Sequence, residues 1–165
     1  TAPGTYEVPF GATLGQLIER AGGVGGNGQM RAVLLGGAAG VFVGPDMMDL
    51  PLTFEGARDA GVTLGSGVVM LFDTTTDFGD IVRRIAAFFR DESCGQCVPC
   101  RVGTVRQGES LQRMFANPAS TPVEVQLLGD LALAMDDSSI CGLGRTASLA
   151  VLSAIDLGLV GGVRG

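Results

Sequence analysis

The 165-residue sequence has no lysine, no histidine and no tryptophan, and a single tyrosine. Without an imidazole, the chain lacks the commonest general base and a common metal ligand, so Ser-His or Cys-His catalysis by its own residues is excluded. All eleven basic residues are arginines, set against seventeen carboxylates for a formal net charge of −6. An acidic chain gains nothing from phosphate contacts, and no basic stripe with interleaved aromatics is present, which argues against nucleic acid as a partner. Apolar runs are broken by glycine well short of the ~18 residues that a membrane-spanning helix needs, so no direct membrane insertion is expected. Disulfides are not expected either: no leader-like segment opens the chain, and it is not small enough to need stapling. An opening at Thr1 rather than Met, just before a strand-like segment, suggests a piece cut from a larger polypeptide.

Against these absences stand 46% hydrophobic residues, enough for the core of one domain or two small ones, and 27 glycines spread among apolar segments without a repeat. The four cysteines are distributed unevenly. Cys94, Cys97 and Cys100 stand at intervals of three within Glu92-Ser-Cys-Gly-Gln-Cys-Val-Pro-Cys-Arg101, and Cys141 follows alone in Ser139-Ile-Cys-Gly-Leu-Gly-Arg145. Three thiols so close cannot join separate disulfides without strain, but a loop bearing them can curl around one corner of a metal centre. Zinc also accepts four thiolates, though zinc motifs usually come as two paired cysteines rather than three plus one. The spacing favours a four-iron four-sulfur site and leaves structural zinc as the alternative.

The segments ESCGQCVPCRVGT and ICGLGRTA resemble the cluster-bearing end of the flavin subunit of NADH:quinone oxidoreductase, respiratory complex I. They also resemble its relatives in soluble NAD-dependent formate dehydrogenases and NAD(P)-linked hydrogenases. The likeness begins near Gly4-Thr-Tyr-Glu-Val-Pro9 and runs to about Asp156. The CGLGRTA form is nearer the soluble enzymes, in particular the formate dehydrogenase beta-subunit type, since respiratory members tend to carry FCALGD-like residues there. The resemblance implies a 4Fe-4S cluster on Cys94, Cys97, Cys100 and Cys141, with FMN and NAD(H) held only by the complete subunit. It also implies a thioredoxin-like 2Fe-2S subunit and a catalytic dehydrogenase or hydrogenase subunit as partners, and a cytoplasmic location.

Taken in order, residues 5–9 alternate like a strand, and Thr13 offers a helix N-cap before Leu14, Leu17, Ile18 and Ala21, with Gly22 and Gly23 as the stop. Residues 32–35, 41–43 and 67–72 read as strands, Gly44-Pro45-Asp46 as a turn, and residues 50–54 as a short edge segment. This predicts a small α+β domain over residues 1–73. Similarity to family members adds that it is a ubiquitin-like β-grasp module of the soluble-ligand-binding (SLBB) kind.

After Thr74-Thr-Thr-Asp77 the hydrophobic period changes from two to 3.6, placing a boundary there and an all-α four-helix bundle over residues 77–160. Phe78, Ile81, Val82, Ile85 and Phe89 make one stripe capped by Asp77, with the Phe88-Phe89 pair read as core. A second helix is expected over 102–114, weakened by Gly103 and Gly108. A third starts at Thr121 with a capping box to Glu124, and its stripe is Leu127, Leu128, Leu131 and Met135. A fourth is expected over about 146–157, with Leu149, Leu152 and Ile155 inward and Gly158 ending it.

Four thiolates on a cluster leave the site at about −2 oxidised and −3 reduced, so positive potential is needed around it. Backbone N–H groups of Gly95 and Gln96, and of the glycines beside Cys141 such as Gly142, are candidate donors to sulfur. Arg101 either lends a nearby positive charge or pairs with a surface carboxylate. The glycines between Gly22 and Gly28 follow a helix, whereas a dinucleotide loop follows a strand and opens a helix, so no flavin or nicotinamide site is expected in the chain. The reading is an electron relay between FMN and partner iron–sulfur centres. Its rival is a non-catalytic module that binds a small ligand or protein and keeps structural zinc.

Overall fold

The computed structural model describes residues 2–25 and 28–161; Gly26, within the glycine-rich stretch, lies outside them. The chain divides into two compact units, Thr1–Thr76 and Asp77–Gly165. The architecture is α+β, with a small antiparallel sheet in the first unit and helices in the second.

In the first unit, helix α1 (Leu14–Arg20) starts at a reciprocal capping box. Thr13 Oγ1 accepts from Gln16 N at 3.2 Å while Gln16 Oε1 accepts from Thr13 N at 3.0 Å, pairing donors that a helix start would leave open. The helix stops where Gly22 N donates to Glu19 O and Gly23 N to Ile18 O, the paired bonds of a Schellman end. Strands β1 (Met30–Leu35), β2 (Val41–Val43) and β3 (Val69–Asp73) form a sheet in the order β2-β1-β3, every pairing antiparallel. Val33 is level with Val43 and Leu71, and Leu35 with Val41 and Val69. The central strand β1 is paired along both edges, and its Ala32, Val33, Leu34 and Leu35 are all buried. One face joins Leu14 and Ile18 of α1 in a core with Val43 and Leu50.

Two expectations for this unit fail. Residues 5–9 form no strand. Their alternation survives as half-buried Tyr6 and Val8 between exposed neighbours, but no backbone ladder accompanies it, and Pro9 lacks an N–H. Residues 50–54 are not an edge strand: Pro51 makes one isolated bridge to Thr13, and Thr53 then caps a helix, α2 (Phe54–Asp59), by accepting from Gly56 N at 3.0 Å. The turn after β2 is a 3-10 turn, Pro45–Met47.

In the second unit, Asp77 caps α3 (Phe78–Glu92) through a 3.0 Å bond from Asp80 N, and Phe78, Val82, Ile85 and Phe89 are buried as the stripe required. Phe88 departs from expectation, being 48% exposed and set edge-on to Phe89. Helix α4 (Val98–Ala116) begins four residues before the expected start, because Pro99 fits its first turn without an N–H to satisfy. Gly103, read as a weak point, faces α5 (Thr121–Ser138): a Cβ there would lie 2.6 Å from Met135 Cγ and Sδ, so glycine lets the two helices approach.

The capping box at Thr121 is not formed. Thr121 is already helical, and the chain enters α5 through a 3-10 turn, Pro118–Ser120, capped by Asn117 accepting from Ala119 N. Glu124 instead takes a two-pronged ion pair from Arg113, at 2.7 and 2.9 Å, and a 2.6 Å bond from buried Ser110. A short helix α6 (Gly142–Thr146) is additional to the four read from sequence. The last helix, α7 (Leu149–Asp156), turns Ala150, Val151, Ala154 and Ile155 fully inward, while Leu149 and Leu152 are half-buried. Gly158 follows its end as expected, donating to Ile155 O while Leu159 donates to Ala154 O.

Candidate metal centre

Three structural elements supply the cysteines. Cys94 is exposed in the link between α3 and α4; Cys97 is the N-cap residue of α4 and half-buried; Cys100 lies in its first turn and is 6% exposed. Cys141, exposed, is the N-cap residue of α6, just beyond the end of α5. Neither N-cap cysteine uses its side chain on its own helix, so both sulfurs are free of that role. The positive end of the 19-residue α4 favours an anionic group where Cys97 stands.

The two cysteine segments meet. Ile140 N donates to Cys97 Sγ at 3.4 Å, across 43 positions of sequence. Gly144 packs so closely that a Cβ there would come within 3.0 Å of Cys100 Cβ and 2.2 Å of Ser139 Oγ. Further along, Gln107 of α4 is fully buried and donates from Nε2 to Ala147 O at 3.0 Å, while Ser148 Oγ donates to Gln107 Oε1 at 2.6 Å. That pair fixes the chain leaving α6 to the helix that carries Cys97 and Cys100.

The expected supporting residues divide. Gly95 takes φ +78°, a left-handed conformation that bends the loop and that a side chain would strain, but its N–H is directed to Ser93 Oγ at 3.4 Å rather than to a cysteine sulfur. Ser93 Oγ is itself 3.5 Å from Cys100 Sγ. Gln96 is exposed, and Gly142 opens α6 with free space where a Cβ would stand. Arg101 makes no ion pair among the described residues, and its Cδ lies 3.6 Å from the point a Cβ on Gly95 would occupy, along the cysteine loop.

Sequence reasoning missed Ser93, Ser139, Gln107 and the Ile140 N–H. The two serines flank the cysteine motifs and were legible as neighbours; the other two act through the fold. Among the described residues, no three cysteine, aspartate or glutamate side chains converge as they would on one metal ion. A cluster takes one thiolate per iron, so its ligands stand further apart than those of a single ion. A set of four thiols with a backbone N–H directed at one of them and a hydroxyl beside another fits such a group.

By donor set and mounting, this is a cysteine-only group carried on the starts of two helices and the loop before the first of them. Residues 80–157 match the family model described as the NADH-ubiquinone oxidoreductase-F iron-sulfur binding region. Over 94% of its length the chain is 36% identical to the F component of NADH-quinone oxidoreductase from Mycobacterium tuberculosis, and over 93% it is 33% identical to the same component from Streptomyces coelicolor. It superposes with TM-score 0.79 and 34% identity on an air-oxidised NAD+-reducing [NiFe]-hydrogenase, covering 93% of this chain and 26% of that one. The chain belongs to the NADH-binding subunit family of these oxidoreductases and corresponds to its C-terminal part. It spans about a third of the length of the curated relatives, 35% for the mycobacterial protein.

Proposed function

We propose that Cys94, Cys97, Cys100 and Cys141 ligate a 4Fe-4S cluster, and that the chain is the electron-relay portion of an NAD(H)-linked oxidoreductase subunit. The observation that carries this reading is the Ile140 N–H on Cys97 Sγ, which brings the segment bearing the fourth cysteine against the loop bearing the first three. Bound there, the cluster supplies one-electron transfer without bond making at a substrate. The chain's residues hold the ligands and offset their charge: Ile140 N donates to Cys97 sulfur, Ser93 lies beside Cys100 sulfur, and Arg101 follows the cysteine loop. Gly95 bends the cysteine loop, and the backbone N–H groups of Gln96 and Gly142 are the remaining candidate donors to sulfur.

The remaining parts of this reading follow the family. Residues 77–160 are a four-helix cluster-binding bundle with one added turn of helix, and residues 1–73 a β-grasp, SLBB-like module. FMN and NAD(H) bind in the rest of the subunit, which exchanges electrons with a thioredoxin-like 2Fe-2S partner and a catalytic dehydrogenase or hydrogenase subunit in the cytoplasm. The Cys-Gly-Leu-Gly-Arg-Thr-Ala form around Cys141 favours a soluble parent of the formate dehydrogenase type; the likeness to the NAD+-reducing hydrogenase supports an NAD-linked parent.

Anaerobic reconstitution of the chain, with iron, sulfide and zinc assayed together, tests the assignment. About four irons with matching sulfide and a paramagnetic signal on reduction are expected. One zinc per chain and a colourless protein would establish the rival module.

A further inference from the structure

We propose that Ser139 is a hydrogen-bond donor to sulfur in the metal centre and that it raises the centre's reduction potential, an inference that rests on the iron–sulfur reading above. Ser139 Oγ is the one buried side-chain oxygen or nitrogen without a hydrogen-bond partner among the described residues. A hydroxyl in that state is costly, and native structures retain one where something outside the protein's own polar groups satisfies it.

Its surroundings identify the acceptor. Ser139 immediately precedes Ile140, whose N–H is on Cys97 Sγ, and stands two residues before Cys141. Across Gly144 it faces Cys100, since the point where a Cβ would stand on that glycine is 2.2 Å from Ser139 Oγ and 3.0 Å from Cys100 Cβ. The hydroxyl therefore sits between the segment that carries Cys141 and the helix start that carries Cys97 and Cys100. The side chain has no capping duty to explain its burial: Ser139 ends α5 through its backbone N–H, which donates to Met135 O at 3.1 Å. The other serine at the site differs, because Ser93 Oγ already accepts from Gly95 N and lies within reach of Cys100 Sγ.

A donor aimed at sulfur stabilises the more negative, reduced state more than the oxidised one, so its removal makes reduction harder. The test is Ser139→Ala beside wild type in the full chain, each reconstituted anaerobically, assayed for iron and sulfide, and titrated by potential with the paramagnetic signal as readout. Equal iron content is expected, with a midpoint shifted to more negative potential. At fixed solution potential the reduced-to-oxidised ratio should fall roughly two- to fivefold, a fraction of the worth of one hydrogen bond to a charged acceptor. The metal-free variant should melt no lower than the metal-free wild type, because the change deletes an unpaired hydroxyl.

An unchanged midpoint at full iron content would overturn the proposal and leave the cluster assignment standing. A lower melt of the metal-free variant together with lost iron would also overturn it, by making Ser139 a packing residue. Failure of wild type to take up iron would remove the cluster assignment and this proposal with it.

Discussion

Cys94, Cys97 and Cys100 fall within seven consecutive positions between α3 and the first turn of α4, whereas Cys141 follows about forty residues later, after two long helices. The first three are held by their own loop: a left-handed Gly95, a Ser93 hydroxyl beside Cys100, and a helix start at Cys97. Cys141 is held by contacts that exist only once the second unit has packed, namely Ile140 N on Cys97 sulfur, Gly144 against Cys100, and Gln107 on Ala147 and Ser148. The placement of three cysteines is thus a property of local sequence and that of the fourth a property of the fold. On the proposed cluster assignment, metal binding and helix packing should be coupled through Cys141.

The largest expected effect is at Cys141. Cys141→Ala should lose or degrade the cluster and with it the stabilisation that closure of a forty-residue loop supplies, about 4 kcal/mol in the chain-entropy estimate for a crosslink. Cys141 is exposed, so the metal-free variant should melt like metal-free wild type. Calorimetry with and without cluster separates the two effects. A variant that kept four irons and the full rise in melting temperature would end the distinction between local and fold-delivered ligands.

Next comes Gln107→Leu, which keeps side-chain volume but strands the Ala147 carbonyl and the Ser148 hydroxyl. A loss of about 2 kcal/mol in denaturant unfolding is expected. Iron uptake should fall as well, although Gln107 is seven residues beyond Cys100. Unchanged uptake at reduced stability would mean that the segment after α6 need not be fixed for Cys141 to reach its place.

Glu124 gives a smaller effect away from the cysteines. Its carboxyl is held below the usual glutamate range, first by the hydrogen bonds from Arg113 and then by Ser110. Since the folded value is depressed, the stabilisation is fully present above the unfolded value of about 4.3 and is lost as pH falls through the folded value. Glu124→Gln should cost about 1–2 kcal/mol at neutral pH and should flatten the acid limb of a stability-against-pH curve. An unaltered limb would assign acid sensitivity to other carboxylates. Least of all, Arg145→Ala breaks an ion pair to Asp136 whose two side chains are 60% and 56% exposed, and should move stability by no more than about 0.5 kcal/mol.

The parts legible in the sequence were those decided within a few residues. Thr13 with Gln16, Asp77 with Asp80, and Gly158 after α7 are caps whose partners lie within four positions, and cysteine spacing belongs to the same short range. Features settled by distant partners were read wrongly or missed. Thr121 and Glu124 have capping-box spacing, yet Arg113, eleven residues earlier, offers the carboxylate a two-pronged ion pair that outcompetes a single backbone N–H. Residues 5–9 alternate correctly, but a strand needs a neighbour and periodicity does not supply one. Helix α2 was hidden because Gly56 lies inside it and Ala57 is its only buried side chain. At the site, motif neighbours could have pointed to Ser93 and Ser139; nothing local marks Gln107.

The central claim, that cluster binding and packing of the helical unit are coupled, is tested most directly by heating the reconstituted chain under argon while following helical circular dichroism and cluster absorbance in the same cuvette. The account predicts that the helical unit and the cluster are lost in a single coincident transition, above the melting temperature of the metal-free chain. Loss of cluster absorbance well before the helical signal, with the helices then melting where the metal-free chain does, would contradict it.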